Sequence, residues 1–302
     1  MGTITNNLQD KPKPVRVDRS GSHITFWRRL TQTAFLFILN PYFLTVRTVC
    51  VPALNCWACP AAAFACPIGA MGQFLAQGVF PFLVIGIVVL GGAFIGRMFC
   101  GWVCPFGFIQ ELLHKIPSKK FQLPQSLTYL KYWVLLITVI AIPLFFGVDI
   151  IPGKIVPQDF FFCRLCPAAS MEATIPLSFM PPAPGATTTP NELTPIYQIT
   201  ETNPVIALLI SPRIWLLILF LISFVFISRL FCRGFCPMGA MSALFNRLSI
   251  YKMSVNKDKC TECKLCHKVC PTDQSIYIKS NTTDCIRCLE CEKKCPYNAI
   301  SS

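Results

Sequence analysis

The chain has 302 residues, 53% of them hydrophobic and only 14% charged, a balance too apolar for an ordinary soluble domain and suited to burial in a membrane. The net charge of +13 comes from Lys and Arg crowded beside apolar segments, where they set orientation in a membrane, so no nucleic-acid partner is expected. Eighteen cysteines in C-x-x-C and C-x-x-x-C groups, in a chain this long and apolar, exclude a disulfide-stapled secreted fold and point to metal–thiolate clusters.

Residues 1–25 form a polar, basic tail without the apolar core of an export signal, so no cleaved signal is expected. Four apolar spans follow: Leu30–Val46, interrupted by Asn40-Pro41, then Val79–Phe99, Tyr129–Val148 and Ile214–Leu230. Each approaches the ~20 residues that cross a bilayer core of ~30 Å, and none carries the polar stripe of a soluble helix. Lys11, Lys13, Arg16, Arg19, Arg28 and Arg29 precede the first span, and Lys115, Lys119, Lys120 and Lys131 lie between the second and third. Arg233, Arg247 and Lys252 follow the fourth. Residues 50–78 contain no Lys or Arg, and residues 149–203 have only Lys154 and Arg164. The positive-inside bias predicts cytoplasmic N- and C-termini, with residues 50–78 and 149–203 on the outer side. Arg47 and Arg213 then sit at interfaces, where they can snorkel. Residues 172–204 are Pro/Thr-rich and read as an outer loop; within it Gly185-Ala-Thr-Thr-Thr189 faintly resembles a threonine-linked flavin attachment site, with no flavin domain around it.

The chain repeats itself. The first half holds Cys56-Trp-Ala-Cys59-Pro60, a span, and Arg97-Met-Phe-Cys100-Gly-Trp-Val-Cys104-Pro105-Phe-Gly107. The second holds Cys163-Arg-Leu-Cys166-Pro167, a span, and Arg229-Leu-Phe-Cys232-Arg-Gly-Phe-Cys236-Pro237-Met-Gly239. The shared R-x-F-C-x-x-x-C-P-x-G pattern, running the same way in both copies, predicts a parallel duplication.

The tail carries the most specific signal. Cys260, Cys263, Cys266 and Cys270-Pro271 form one C-x2-C-x2-C-x3-C-P run, and Cys285, Cys288, Cys291 and Cys295-Pro296 form a second. In the bacterial ferredoxin pattern the fourth cysteine crosses to the other cluster. Cys260, Cys263, Cys266 and Cys295 are therefore expected to hold one [4Fe–4S] cluster, and Cys285, Cys288, Cys291 and Cys270 the other. Zinc also uses C-x2-C pairs but does not need the third Cys or the trailing Cys-Pro. Cys263-Lys-Leu-Cys266-His267 matches a haem attachment pattern. It falls inside a ferredoxin run, and none of the three His residues lies in a span, so no haem is expected.

The fold class that results is a mainly α membrane protein: four transmembrane helices in two parallel repeats, plus a C-terminal α+β bacterial-type two-cluster ferredoxin domain. Residues 1–25 are the cytoplasmic tail, 26–128 the first membrane repeat, 129–250 the second, and 251–302 the 2[4Fe–4S] domain.

Cys100 with Cys104, and Cys232 with Cys236, fall at i, i+4, so each pair would share one face of a helix. Pro105 and Pro237 suit the first turn of following helices, expected along the inner interface over 105–116 and 237–248. Four thiolates near a pseudo-twofold axis are the right number for a further cluster; a redox or quinone-contact role without a cluster, and plain packing, are the alternatives. On the outer side lie Cys50, Cys56, Cys59, Cys66, Cys163 and Cys166, with Cys66-Pro67 aligning with Cys166-Pro167. They either close as disulfides on an oxidising face or hold a cluster drawn from both repeats; a carrier there would shorten the electron's crossing of ~30 Å of hydrocarbon.

At the Cys100–Cys104-Pro105 and Cys232–Cys236-Pro237 pairs and the two ferredoxin runs, the chain resembles the NapH/NosR group of membrane polyferredoxins over roughly residues 25–300. What the resemblance implies is an electron-transfer subunit of a quinol dehydrogenase complex in the bacterial cytoplasmic (inner) membrane. Its partners would be lipid, quinone and other redox subunits of iron–sulfur, cytochrome c or molybdoenzyme type. The sequence departs from NapH at its outer cysteines and lacks the large outer flavin domain of NosR-like proteins. An accessory electron donor for maturing a periplasmic metalloenzyme, and a non-redox anchor for a catalytic subunit, remain alternatives.

Overall fold

The computed structural model describes residues 22–40, 50–56, 59, 62–146, 161–179 and 211–302. The Gly185–Thr189 motif and most of the Pro/Thr-rich segment lie outside the described residues.

The same succession of elements occurs twice. Helix α1 (Ser22–Leu39) is followed by α2 (Pro67–Ala76), α3 (Phe82–Ile95), a helical turn at Met98–Trp102, and α4 (Pro105–His114). Helix α5 (Gln125–Phe145), which includes a π-helical segment, is followed by α6 (167–179), α7 (Pro212–Phe226), a turn at Leu230–Gly234, and α8 (Pro237–Phe245). Four of these elements begin at a Cys-Pro pair. Cys66, Cys104, Cys166 and Cys236 all adopt extended backbone, with φ from −69° to −75° and ψ from 114° to 127°. A residue before proline is driven out of the helical region, and proline suits the first helical position. Cys100 and Cys104 therefore do not share one continuous helix: Pro105 ends the helical turn before Cys104, and Pro237 does the same at Cys236.

Among the described residues, α5 is the one helix long and apolar enough to cross a bilayer by length and composition. Helices α3 and α7 are apolar but have 14 and 15 residues, shorter than the apolar stretches Val79–Phe99 and Ile214–Leu230. Those stretches are cut by turns. Gly96 takes φ 56° after α3; Ile227 is extended and Arg229 left-handed after α7. Each turn frees the following residues to aim a cysteine inward. Large apolar side chains still cover the outside of these helices, including Phe82, Leu83 and Leu90 on α3, Trp133 on α5, and Trp215 and Leu219 on α7.

Packing is reciprocal. Helix α4 lies against α1 and α7, while α8 lies against the equivalent α5 and α3. One hydrophobic core, with Leu39, Val84, Phe106, Val139, Phe224 and Phe231, runs through both copies. The tail has its own small core around Met253, Ile276 and Ile300, closed by the antiparallel pair β1 (Ser254–Val255) and β2 (Ile300–Ser301).

Candidate iron–sulfur centres

In the tail, Cys260, Cys263, Cys266 and Cys295 line one cavity of about 360 Å³. Cys270, Cys285, Cys288 and Cys291 gather as a second set, their charges close enough to push on one another. Burial, with Cys270 and Cys285 nearby, raises the Cys288 thiol to about 12, against the pull of Arg28. Binding metal here must therefore displace thiol protons. The backbone repeats between the two runs. Glu262, Lys264 and Asp273 are left-handed in the first; Arg287, Leu289 and Asn298 are left-handed at the matching positions of the second. Alternating right- and left-handed residues turn successive N–H groups inward and create a concave anion site. Gln274 and Ala299 donate their N–H groups to the sulfurs of Cys270 and Cys295 at 3.3 and 3.4 Å. His267, in the haem-like pattern, faces Asp273 (3.4 Å) and Ser275 (3.4 Å).

Cys100, Cys104, Cys232 and Cys236 form a third set, all buried and close to one another. Gln110 Nε2 donates to Cys232 Sγ at 3.0 Å, and Gly239 N donates to Cys236 Sγ at 3.3 Å. The duplicated R-x-F-C-x-x-x-C-P-x-G pattern has a physical reading here. Arg229 donates across to the Cys100 carbonyl at 2.7 Å, and Arg97 donates back to the Cys232 carbonyl. Each arginine passes over the glycine of the opposite copy. A Cβ at Gly107 would meet the Cys100 oxygen at 3.0 Å and Arg229 at 3.4 Å; one at Gly239 would meet Arg97 and the Cys232 oxygen, both at 2.8 Å. The arginine and glycine thus lock the two copies around the four thiols. Both belong to the repeated pattern, which is the signal that could have identified them from sequence.

The third set touches the tail. Cys100 packs in one buried group with Ile286 and Cys288, and Trp102 Nε1 donates to the Arg287 carbonyl at 3.1 Å. Around this junction Arg28, Arg97, Lys131, Arg229, Arg233 and Arg287 are all buried, outnumbering the three acids that pair with them, Asp284, Glu111 and Glu290. Buried cations need anionic partners. Clusters held by four thiolates carry negative charge and fit that excess.

The C-x-x-C-P cysteines do not stand a membrane's width away. Cys56, Cys66, Cys163 and Cys166 line one cavity with Leu54 and Asn55. Leu54, in the wall of this cavity, shares one buried core with Cys66, Cys166, Cys104 and Cys236, so the third set lies next to the cavity. Cys59 lies beside it, its N–H donating to the Cys56 carbonyl at 3.0 Å, and does not line it. Cys50 is buried in a bridge to Ala65. Among the described residues no three His, Cys, Asp or Glu are arranged for a single metal ion.

Glu111 on α4 ties these parts together. Its Oε2 accepts from Arg28 Nη2 at 2.7 Å and its Oε1 from Arg229 Nε at 2.8 Å. Burial alone would raise its pKa, but the two guanidiniums override it and hold the carboxyl below the usual range. A depressed carboxylate contributes stability that is complete above the unfolded value of about 4.3 and is lost as pH falls through the folded value. Glu111→Gln should cost about 3–5 kcal/mol at neutral pH, the range for breaking a buried pair. The two proteins should converge on acidification below about pH 4.3, since glutamine mimics the protonated acid. Unfolding midpoints measured across pH check this; a gap that stays constant down to acid pH would refute it.

A 4Fe-4S binding domain matches residues 77–124 and 208–256, and a second type of 4Fe-4S binding domain matches residues 253–274 and 278–301. An uncharacterized protein of Methanocaldococcus jannaschii is 29% identical over 260 residues, covering 82% of each chain. Protein NirI of Paracoccus denitrificans is 28% identical over 199 residues, which cover 63% of this chain and 23% of NirI. The putative electron transport protein YccM of Escherichia coli is 22% identical over 192 residues, 63% of this chain and 45% of YccM. The chain thus spans less than half the length of the latter two. No solved structure matches it. Four-cysteine sets and these matches together define an iron–sulfur electron-transfer protein. Within that class, the similarity to NirI and YccM bears out the resemblance to the NapH/NosR-type polyferredoxins.

Proposed function

We propose that this protein is a membrane-bound iron–sulfur subunit that passes electrons between the quinone pool and protein redox partners. The observation that carries the reading is the contact of Cys100 with Ile286 and Cys288, which joins the repeats' thiols to the ferredoxin run without a gap. In this reading Cys260, Cys263, Cys266 and Cys295 hold one tail cluster, and Cys285, Cys288, Cys291 and Cys270 hold the other. Cys100, Cys104, Cys232 and Cys236 hold a third at the junction. The left-handed backbone and the N–H···S bonds orient these thiolates, and N–H donors to cluster sulfur tune the potential. The clusters supply one-electron chemistry; the chain positions them and keeps water out.

Membrane insertion rests on the exposed apolar faces of α3, α5 and α7 and on the Lys/Arg asymmetry, with repeats over 26–128 and 129–250 and the ferredoxin domain over 251–302. The shorter α3 and α7 reach across together with their following turns. Two arms test the reading. Reporter fusions at residues 120 and 302 should behave as cytoplasmic and one at 190 as exported. A quinol analogue should reduce the tail clusters of the purified protein, giving the EPR of two interacting cubanes. An exported C-terminal reporter would overturn the topology, and clusters that dithionite reduces but quinol never does would overturn the quinone role.

A further inference from the structure

The duplicated C-x-x-C-P segments have no place in the reading above, yet they build a site. Their cavity is lined by Cys56 and Cys66 from the first copy and Cys163 and Cys166 from the second, with Ile68 and Phe162 among its apolar walls. The ferredoxin cavity likewise has four cysteines in its lining. We propose that Cys56, Cys66, Cys163 and Cys166 bind a further [4Fe–4S] cluster, two ligands from each repeat, adjacent to the Cys100/Cys104/Cys232/Cys236 set. The inference rests on the iron–sulfur reading and adds a centre to it.

Four features support the assignment. Cys66 and Cys166 share the extended conformation of the other Cys-Pro cysteines, at φ −72°, ψ 127° and φ −71°, ψ 120°. Ile68, Gly69 and Ala169, in the first turns of the helices that begin at Pro67 and Pro167, line the cavity beside Cys66 and Cys166. Cys56 is fixed from the opposite copy, its N–H donating to Glu172 Oε2 at 2.6 Å. Finally, Leu54 in the cavity wall packs in the same buried core as Cys104 and Cys236, which places this site next to the junction set.

On assembly the four thiols release four protons to solvent as four iron–sulfur bonds form. The core of two ferric and two ferrous irons with four sulfides carries two positive charges, so the four thiolates leave two negative ones. A cluster held by these four cysteines would be placed to exchange one electron with the neighbouring set and one with an external one-electron redox protein.

Iron and acid-labile sulfide per chain test the proposal on purified full-length protein. Changing Cys66 and Cys166 together to Ser should lower iron by about four, the content of one cubane, with the tail's EPR unchanged. Cys163, the exposed member of the set, provides a milder variant: Cys163→Ser should also lower iron by about four. Cys59→Ser, just outside the cavity, should leave iron at the wild-type level. Unchanged iron in both variants overturns the site, as does a Cys163–Cys166 disulfide found by non-reducing peptide mapping of the unmodified protein. A loss of about two irons instead would overturn the four-iron assignment. If the wild-type tail itself lacks its clusters, the underlying iron–sulfur reading fails, which is a separate result.

Discussion

Changing Cys104 and Cys236 together to Ala should remove about four irons per chain and abolish quinol-driven reduction of the tail clusters, while dithionite still reduces them. The two residues are equivalent in the duplication, 3% and 2% exposed, and each directly precedes a helix, α4 or α8. Buried cysteines can simply pack, and alanine would then leave only a small cavity. Packing does not explain why all four cysteines are buried at one junction, nor why six buried cations there outnumber the three acids that pair with them. If the set holds a cluster, the variant loses the negative charge those cations face as well as the link between the repeats and Cys288. Dithionite, which reaches the exposed tail from solution, bypasses that link. Iron that stays at the wild-type level removes the junction cluster from the account. Reduction by quinol at a normal rate would place these cysteines off the electron path.

The ferredoxin domain was legible because its cysteine spacing is local: Cys260, Cys263 and Cys266 fall within seven residues, and of the four cysteines lining their cavity only Cys295 is remote. The duplication was legible for the same reason, as a repeated string. Relations between the copies were not. Arg97 and Arg229 are natural to read as charges at a span's end, but they are fully buried and each grips the opposite copy's first cysteine carbonyl. The i, i+4 spacing of Cys100 and Cys104 suggested one helix face, and it was Pro105 that decided otherwise by forcing Cys104 extended. Apolar length overstated α3 and α7, because hydropathy does not register a turn made at Gly96 or Arg229. Charge asymmetry placed the C-x-x-C-P cysteines on the outer side without indicating how near they lie to the junction, and Leu54, in the wall of their cavity, folds back into the core that holds Cys104. That return is a tertiary event with no local sequence signature.

Asp284 should prove the most sensitive residue outside the thiols. It precedes Cys285, and its Oδ1 accepts from both Arg97, just after α3, and Lys131, near the start of α5. One carboxylate therefore fastens the ferredoxin domain to both repeats. Arg97 and Lys131 are 0% and 1% exposed, so Asp284→Ala leaves two buried cations sharing no acid. Breaking such a group from one side costs about 3–5 kcal/mol, because the remaining charges stay desolvated and unpaired. The expected result is a lower unfolding midpoint, faster proteolysis between residues 250 and 285, and slower quinol-driven reduction of the tail, with dithionite-reducible iron retained. Adding Lys131→Met to Asp284→Ala should restore part of the stability, since it removes one orphaned cation; an independent pair of sites would instead add their losses. Asp284→Asn, which keeps the shape and one acceptor, should fall between wild type and alanine. If Asp284→Ala unfolds at the wild-type midpoint, the carboxylate does not hold the domain to the repeats. The direct packing of Cys100 on Ile286 and Cys288 must then do so alone.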